Sequence, residues 1–158
     1  MTKTCTILIG PPGVGKSTWL EANWGKTING RIGSSDTIID TVAKMYGYSY
    51  NDMFSELIKF ADKVFWDRID IWASTGSDMI LDRTNLSVKS RARYFERLRK
   101  HGYTFHAIVF PPPGKTEWDR RLDRPGKTIP QHVINNMLSS FDMPTEAEGF
   151  TSITIVNP

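Results

Sequence analysis

The sequence predicts an α/β fold with a mainly parallel central sheet and helices on both of its faces. Two observations carry that expectation. Short apolar, β-rich runs alternate along the chain with longer segments of helical spacing. The first of these runs ends at Ile9 and passes through a glycine- and proline-rich turn directly into a helical segment. Length and composition agree: 158 residues is one domain's worth, 1–158, and 39% hydrophobic with 23% charged residues is a globular balance that excludes disorder as the main state.

The elements follow in order. Residues 4–9 form the first expected strand and 16–23 the helix after it. A weak strand is expected over 31–35 and a short helix over 37–46. Residues 51–73 give the clearest helix: Phe54, Leu57, Ile58, Ala61, Val64, Phe65, Ile69 and Trp72 recur at steps of three and four and make one apolar stripe. Asp52 and Glu56 suit its N-terminal turns, and Thr75-Gly76-Ser77 ends it. A short buried strand over 79–81 leads to Asp82. A helix over 87–101 follows, with Gly102 as its stop, then a strand over 105–110 broken off by Pro111, Pro112 and Pro113. A basic segment over 115–127, a helix over 130–141 with proline in its first turn and a last strand over 152–156 complete the chain.

Several function classes are excluded. Cys5 is the one cysteine, so neither a disulfide framework nor a cysteine-based zinc site is available. His101, His106 and His132 make no metal-like pair at helical spacing. No run of about 18 apolar residues exists to span a membrane, and the N-terminus has no signal-peptide pattern, which points to a reducing, cytoplasmic setting. The net charge of +3 permits a nucleotide or nucleic-acid partner without arguing for one.

The strongest signal is Gly10-Pro11-Pro12-Gly13-Val14-Gly15-Lys16-Ser17, which satisfies G-x-x-x-x-G-K-[ST] between a strand and a helix. Glycines let the backbone curl so that successive amides, from Gly10, Gly13, Val14 and Gly15 through to Lys16, Ser17 and Thr18, point inward at phosphate oxygens. The helix adds its positive N-terminal end. Lys16 is placed to reach the β and γ phosphates of ATP or another NTP, and the Ser17 hydroxyl to bind Mg²⁺. The fold class is thereby narrowed to a P-loop NTPase-type sandwich.

A kinase also needs a group to orient and deprotonate the acceptor hydroxyl. Asp36 closes the run Arg31-Ile32-Gly33-Ser34-Ser35-Asp36 and is a candidate general base; the competing reading makes it the N-cap of the helix over 37–46. Asp82 ends a short apolar strand, where an acid sits near Mg²⁺ or its water. Asn85 has an amide able to donate to a phosphate or to the acceptor, but its residue type favours a turn or a cap competing with Ser87.

Two segments are rich in base. Lys89, Arg91, Arg93, Arg97, Arg99 and Lys100 crowd one helix, and a solvated face is the preferred reading over a surface tracking a nucleic-acid backbone. Arg120, Arg121, Arg124 and Lys127 follow a late strand, where a closing lid would place arginines on the transferring phosphoryl group and exclude water. The alternative is a surface helix carrying a Glu117–Arg121 pair at four-residue spacing.

The order of motifs resembles the kinase domain of 5′-hydroxyl polynucleotide kinases, both the bacteriophage enzyme and the kinase half of the animal DNA-repair enzyme. It rests on G-P-P-G-V-G-K-S-T, S-S-D, L-D-R-T-N followed by S-R-A-R-Y, R-R-L-D-R-P-G-K-T-I-P and F-D-M-P-T-E-A-E-G-F, and spans nearly the whole chain. The resemblance implies Lys16 and Ser17 on the donor phosphates and Mg²⁺, Asp36 as general base, and Asp82 and Asn85 around the acceptor. It implies Arg124 as the lid arginine of the transition state and Arg120 as a second one. The implied reaction is ATP-dependent phosphorylation of 5′-hydroxyl ends of DNA or RNA. The D-x-D-G-T motif of the phosphatase often fused to these kinases is absent, so no 3′-phosphatase activity is expected. Ile39 stands where the phage enzyme has an acceptor-gripping arginine. That keeps open a kinase of a small acceptor, such as a nucleoside, a nucleoside monophosphate or a sugar. An NTP-binding switch, needing only the phosphate loop, is a third reading.

Overall fold

The computed structural model describes residues 2–23 and 31–157. Among these residues five parallel strands form one sheet in the order β2-β3-β1-β4-β5, made by β1 (Lys3–Ile9), β2 (Ile32–Gly33), β3 (Met79–Asp82), β4 (Tyr103–Val109) and β5 (Phe150–Ile155). Among the described residues six α-helices connect them: α1 (Lys16–Asn23), α2 (Ser35–Met45), α3 (Tyr50–Ser74), α4 (Val88–Leu98), α5 (Lys115–Leu122) and α6 (Gln131–Ser139). The α/β expectation holds. Strand β2 is shorter than expected, and β4 and β5 each start two residues earlier. No helix among the described residues is long and apolar enough to cross a membrane.

The strand period of two distributes the core. Cys5, Ile7 and Ile9 of β1 pack with Phe65, Ile69, Tyr94, Phe95 and Leu98 of α3 and α4 on one face. Leu8 turns to the other face and packs with Val14, Leu20, Ile80 and Phe110 beside α1. Register pairs Leu8 with Asp82 and Ile9 with Val109, so β1, β3 and β4 end at one edge of the sheet. Loops leaving that edge, where strand order reverses about β1, are where such sheets bind ligands.

Ser49 starts α3 with a reciprocal cap: its hydroxyl accepts from the Asp52 amide, and Asp52 accepts from the Ser49 amide. Helix α2 packs back on it through Ile38, Ile39 and Ala61. Ile39 is fully buried there, so position 39 faces the core and not a ligand.

A buried polar brace sits between β3, α4 and the turn before β5. Asn85 is 4% exposed and its backbone is left-handed (φ 49°). Its amide donates to the Leu8 carbonyl at 2.8 Å and to those of Leu81 and Arg83 at 3.3 Å, while its oxygen accepts from the Tyr94 hydroxyl at 2.6 Å. Both ends of its side chain tie the β3–α4 loop to β1, so Asn85 serves the turn that its residue type favoured, and its side chain does not line the cleft where the resemblance would put it. Ser87, not Asn85, caps α4.

Arg91 is wholly buried and pairs through Nε and Nη2 with Glu148 at 2.8 and 3.1 Å. Its Nη1 donates to the Asn85 and Leu86 carbonyls at 3.0 and 2.9 Å. The other α4 arginines are also engaged. Arg93 and Arg97 lie 4.6 and 4.9 Å from the Trp66 ring centre, and Arg97 bonds Asp70 at 2.8 and 2.9 Å. Lys89, Arg93, Arg97, Arg99 and Lys100 are exposed, as the solvated-face reading expects, whereas Arg91 is buried and holds neighbouring elements.

Candidate active site

At the C-terminal edge of the sheet lies a cleft of about 1360 Å³, larger than the usual single-ligand pocket and roomy enough for a donor and an acceptor. The phosphate loop forms one bank, the first turns of α2 and α3 the other, and the segment from α5 to Pro130 crosses between them.

The loop's shape follows from its glycines. Gly13 and Gly15 have φ of +76° and +97°, a region other residues rarely enter. At Gly10 a Cβ would lie 2.7 Å from the Phe110 carbonyl oxygen, so only glycine lets the loop leave β1 against β4. Val14 buries its side chain beside Leu8 and Phe110, which anchors the curl and leaves its amide to the loop. Lys16 lies at the start of α1 and donates to the Gly10 carbonyl and, at 3.0 Å, to that of Pro11. Burial draws its ammonium down to about 8; Asp82 and Asp36 oppose that, while Arg124 and Lys127 reinforce it. Ser17 and Thr18 open α1 exposed at the cleft.

Asp82 ends β3 in the cleft, and burial raises its carboxyl above the usual range against the pull of Lys16. The carboxylate of Asp82 and the Ser17 hydroxyl, both lining the cleft, are hard oxygen donors of the kind Mg²⁺ takes. Among the described residues no group of three or more His, Cys, Asp or Glu could hold a metal ion by itself.

Asp36 is not a helix cap. The cap of α2 is Ser34, whose hydroxyl accepts from the Thr37 amide at 3.3 Å, and α2 begins at Ser35. Asp36 sits within the first turn, and its carboxylate faces the cleft. The Tyr50 hydroxyl donates to its Oδ1 at 2.8 Å, and the Lys127 ammonium lies 3.7 Å from its Oδ2.

The basic segment contains helix α5 and crosses the cleft as a lid. On the loop side, Trp118 Nε1 donates to the Pro12 carbonyl at 2.8 Å and Leu122 packs on Gly13. On the far side, the Asn51 amide donates to the Gly126 carbonyl at 3.0 Å, and its side chain bonds the Thr128 hydroxyl at 2.8 Å and amide at 3.3 Å. Arg124 lies between these anchors. Among the described residues three buried side-chain donors lack any partner, and two of them are Arg124 Nε and Nη2. Two half-buried cations, Lys16 and Arg124, thus act on each other at the cleft with donors to spare. A phosphate chain is the anion that such a set fits.

Arg120 lines the cleft, but Glu117 holds both of its forked nitrogens at 2.7 and 2.9 Å on an exposed flank. Arg121 shares Glu117 at 2.9 Å and comes closer to the loop, with Nη1 3.9 Å from where a Gly15 Cβ would lie. The Glu117–Arg121 pair and the lid therefore coexist, and Glu117 is pulled down to about 2 by its two arginines. Sequence reasoning missed Tyr50, Asp40, Asn51 and Trp118. The Asp36–Asp40 spacing of four residues was a visible signal; Tyr50 and Asn51 had none.

The fold is shared with several solved structures. A candidate kinase from Chloroflexus aurantiacus aligns with a TM-score of 0.71 at 17% identity, over 99% of this chain and 89% of that one. A chain of the PezAT chromosomal toxin–antitoxin system of Streptococcus pneumoniae aligns with a TM-score of 0.71 at 17% identity, over 99% of this chain and 69% of that one. A sugar kinase from a Janibacter species aligns with a TM-score of 0.60 at 19% identity, over 98% and 85%. At 17–19% identity these likenesses show a shared fold. A family profile described as AAA domain matches residues 6–144, which contain the phosphate loop, Asp36, Asp82 and the lid, and the chain belongs to that family.

Proposed function

We propose that the protein is an ATP- and Mg²⁺-dependent phosphotransferase that phosphorylates a hydroxyl. The observation that carries this reading is the pair of Arg124 donors, buried and without an anion, set beside Lys16 and across the cleft from Asp36. The phosphate-loop amides and Lys16 hold the donor's phosphates, and Arg124 spreads the charge of the moving phosphoryl group. Asp36 accepts the acceptor's proton as the acceptor oxygen bonds the γ-phosphorus. The bond from that phosphorus to the β–γ bridging oxygen breaks, and ADP leaves. Ser17, with Asp82 near it in the cleft, would hold Mg²⁺, which supplies charge neutralisation on the phosphate oxygens when bound. The lid excludes water that would otherwise take the phosphoryl group.

A small acceptor is the favoured substrate class. Ile39 is buried in the core, the α4 arginines are engaged, and the acceptor bank carries two carboxylates, Asp36 and Asp40. That bank suits a compact hydroxyl compound, such as a nucleoside or sugar, better than a polyanion. A 5′-hydroxyl end of DNA or RNA is the second reading, supported by the ordered motifs. Labelled ATP offered to the protein with nucleosides, nucleoside monophosphates, sugars and 5′-hydroxyl oligonucleotides in competition separates the two. Label moving to oligonucleotide ends in preference to every small compound would reverse the order. ATP turnover indifferent to all acceptors and to Asp36→Asn would leave a nucleotide switch.

A further inference from the structure

We propose that Tyr50 and Lys127 are positioning residues that hold Asp36 in its working orientation, and that Lys127 does so from the lid. The inference rests on the reading of Asp36 as general base. The side chain of Asp36 is 58% exposed, so packing alone does not select its rotamer. A base left free to rotate is a poor one, because proton transfer requires a held oxygen within hydrogen-bond reach.

Tyr50 supplies the hold. It is the first residue of α3, and its ring is packed by Phe54 at 5.5 Å between centres. Burial, then the nearby carboxylate of Asp36, pushes its phenol far above the usual range, so it remains a donor throughout the neutral region. Its bond to Oδ1 turns Oδ2 into the oxygen left for the acceptor's proton.

Lys127 supplies charge on the other side. Its ammonium is 3.7 Å from Asp36 Oδ2, 3.5 Å from Asp40 Oδ2 and 4.4 Å from the Tyr50 ring centre. Both oxygen distances are longer than a hydrogen bond, so the lysine attracts Oδ2 without occupying its lone pairs. Lys127 stands between Gly126 and Thr128, the two residues through which Asn51 anchors the lid. Lid docking and alignment of the base are therefore one event, and Arg124 is delivered by the same segment.

The test measures transfer of labelled phosphate from ATP to adenosine, to a 5′-hydroxyl oligodeoxynucleotide and to water, so that a rate is readable with any acceptor. Tyr50→Phe keeps the ring and removes one hydroxyl. It is expected to lower kcat roughly 10- to 100-fold, with the KM for ATP within about twofold of wild type. In an Asp36→Asn background the same change is expected to cost nothing further, because its effect passes through Asp36. Lys127→Met is expected to lower kcat in the same way, and Lys127→Arg to restore most of it. Wild-type kcat for Tyr50→Phe, or an equal loss in the Asp36→Asn background, overturns the inference while leaving the base in place. Wild-type transfer by Asp36→Asn itself removes the base, and the clamp with it.

Discussion

The brace around Arg91 and the cluster around Arg124 are built from the same chemistry, yet one is closed and the other open. Arg91 is fully buried and spends its donors on Glu148 and two carbonyls, and Asn85 beside it has both ends of its side chain engaged. Arg124 has two buried donors with no acceptor and the Lys16 ammonium as a neighbour. A buried polar group without a partner costs free energy. A fold keeps such a group where something else is to bind it. Satisfaction of hydrogen bonds separates Arg91 from Arg124; the third unpartnered buried donor among the described residues, Trp66 Nε1, lies in the core, so an open donor marks a site only where it lies with other charged groups in the cleft.

The contrast is sharpest in two substitutions. Arg124→Ala is expected to lower kcat by about 10³-fold or more while leaving the melting temperature unchanged or slightly raised, since it removes unsatisfied groups. A near-normal turnover would show that the open cluster is not catalytic. Arg91→Ala should do the reverse. It leaves Glu148 buried and unpaired and is expected to cost about 3–5 kcal/mol of stability in denaturant unfolding. Stability within about 1 kcal/mol of wild type would mean that the brace is dispensable.

The open cluster also predicts a pH response. Burial depresses Lys16 below its unfolded value of 10.5 to about 8. Between those limits the unfolded chain binds the extra proton, so the Lys16 contribution makes the unliganded protein more stable as pH rises through that window. A phosphate ligand favours the charged ammonium, so nucleotide affinity should fall over the same window, by about tenfold from pH 7 to 9. Calorimetric titration of ADP at the two pH values checks it, and a flat affinity would detach Lys16 from the phosphates. The smallest effect is expected on the exposed rim of α4 and the turn after it, where Lys89 and Lys100 lie. Lys89→Ala combined with Lys100→Ala should change the acceptor KM less than about twofold and leave its salt dependence alone. A weakened salt dependence with oligonucleotide acceptors would restore α4 as a nucleic-acid surface.

These clusters were unequally legible in the sequence. Gly10 to Ser17 announce their role because the chemistry is in the backbone: the glycines, the lysine and the hydroxyl act within one turn and one helix start. Arg124 was readable by its place in a basic segment after a late strand. Asn85 was readable as a turn residue, but not as a brace, because its partners, Leu8 and Tyr94, come from other elements, one of them 77 residues away. The S-R-A-R-Y and E-A-E-G-F segments that looked like marks of an activity meet as the Arg91–Glu148 pair and hold the fold. Tyr50 gave no signal, since only the packing of α2 on α3 carries its hydroxyl to Asp36.

The chain's own order of residues determined the alternation of strands and helices, the glycine-rich curl after β1 and the presence of a cationic segment able to cover it. Those follow from propensities and spacings that act within a few residues. Which polar side chains are used up and which are left open was decided only in three dimensions. A hydrogen bond is satisfied by whatever group the fold brings within about 3 Å, however far away in the chain.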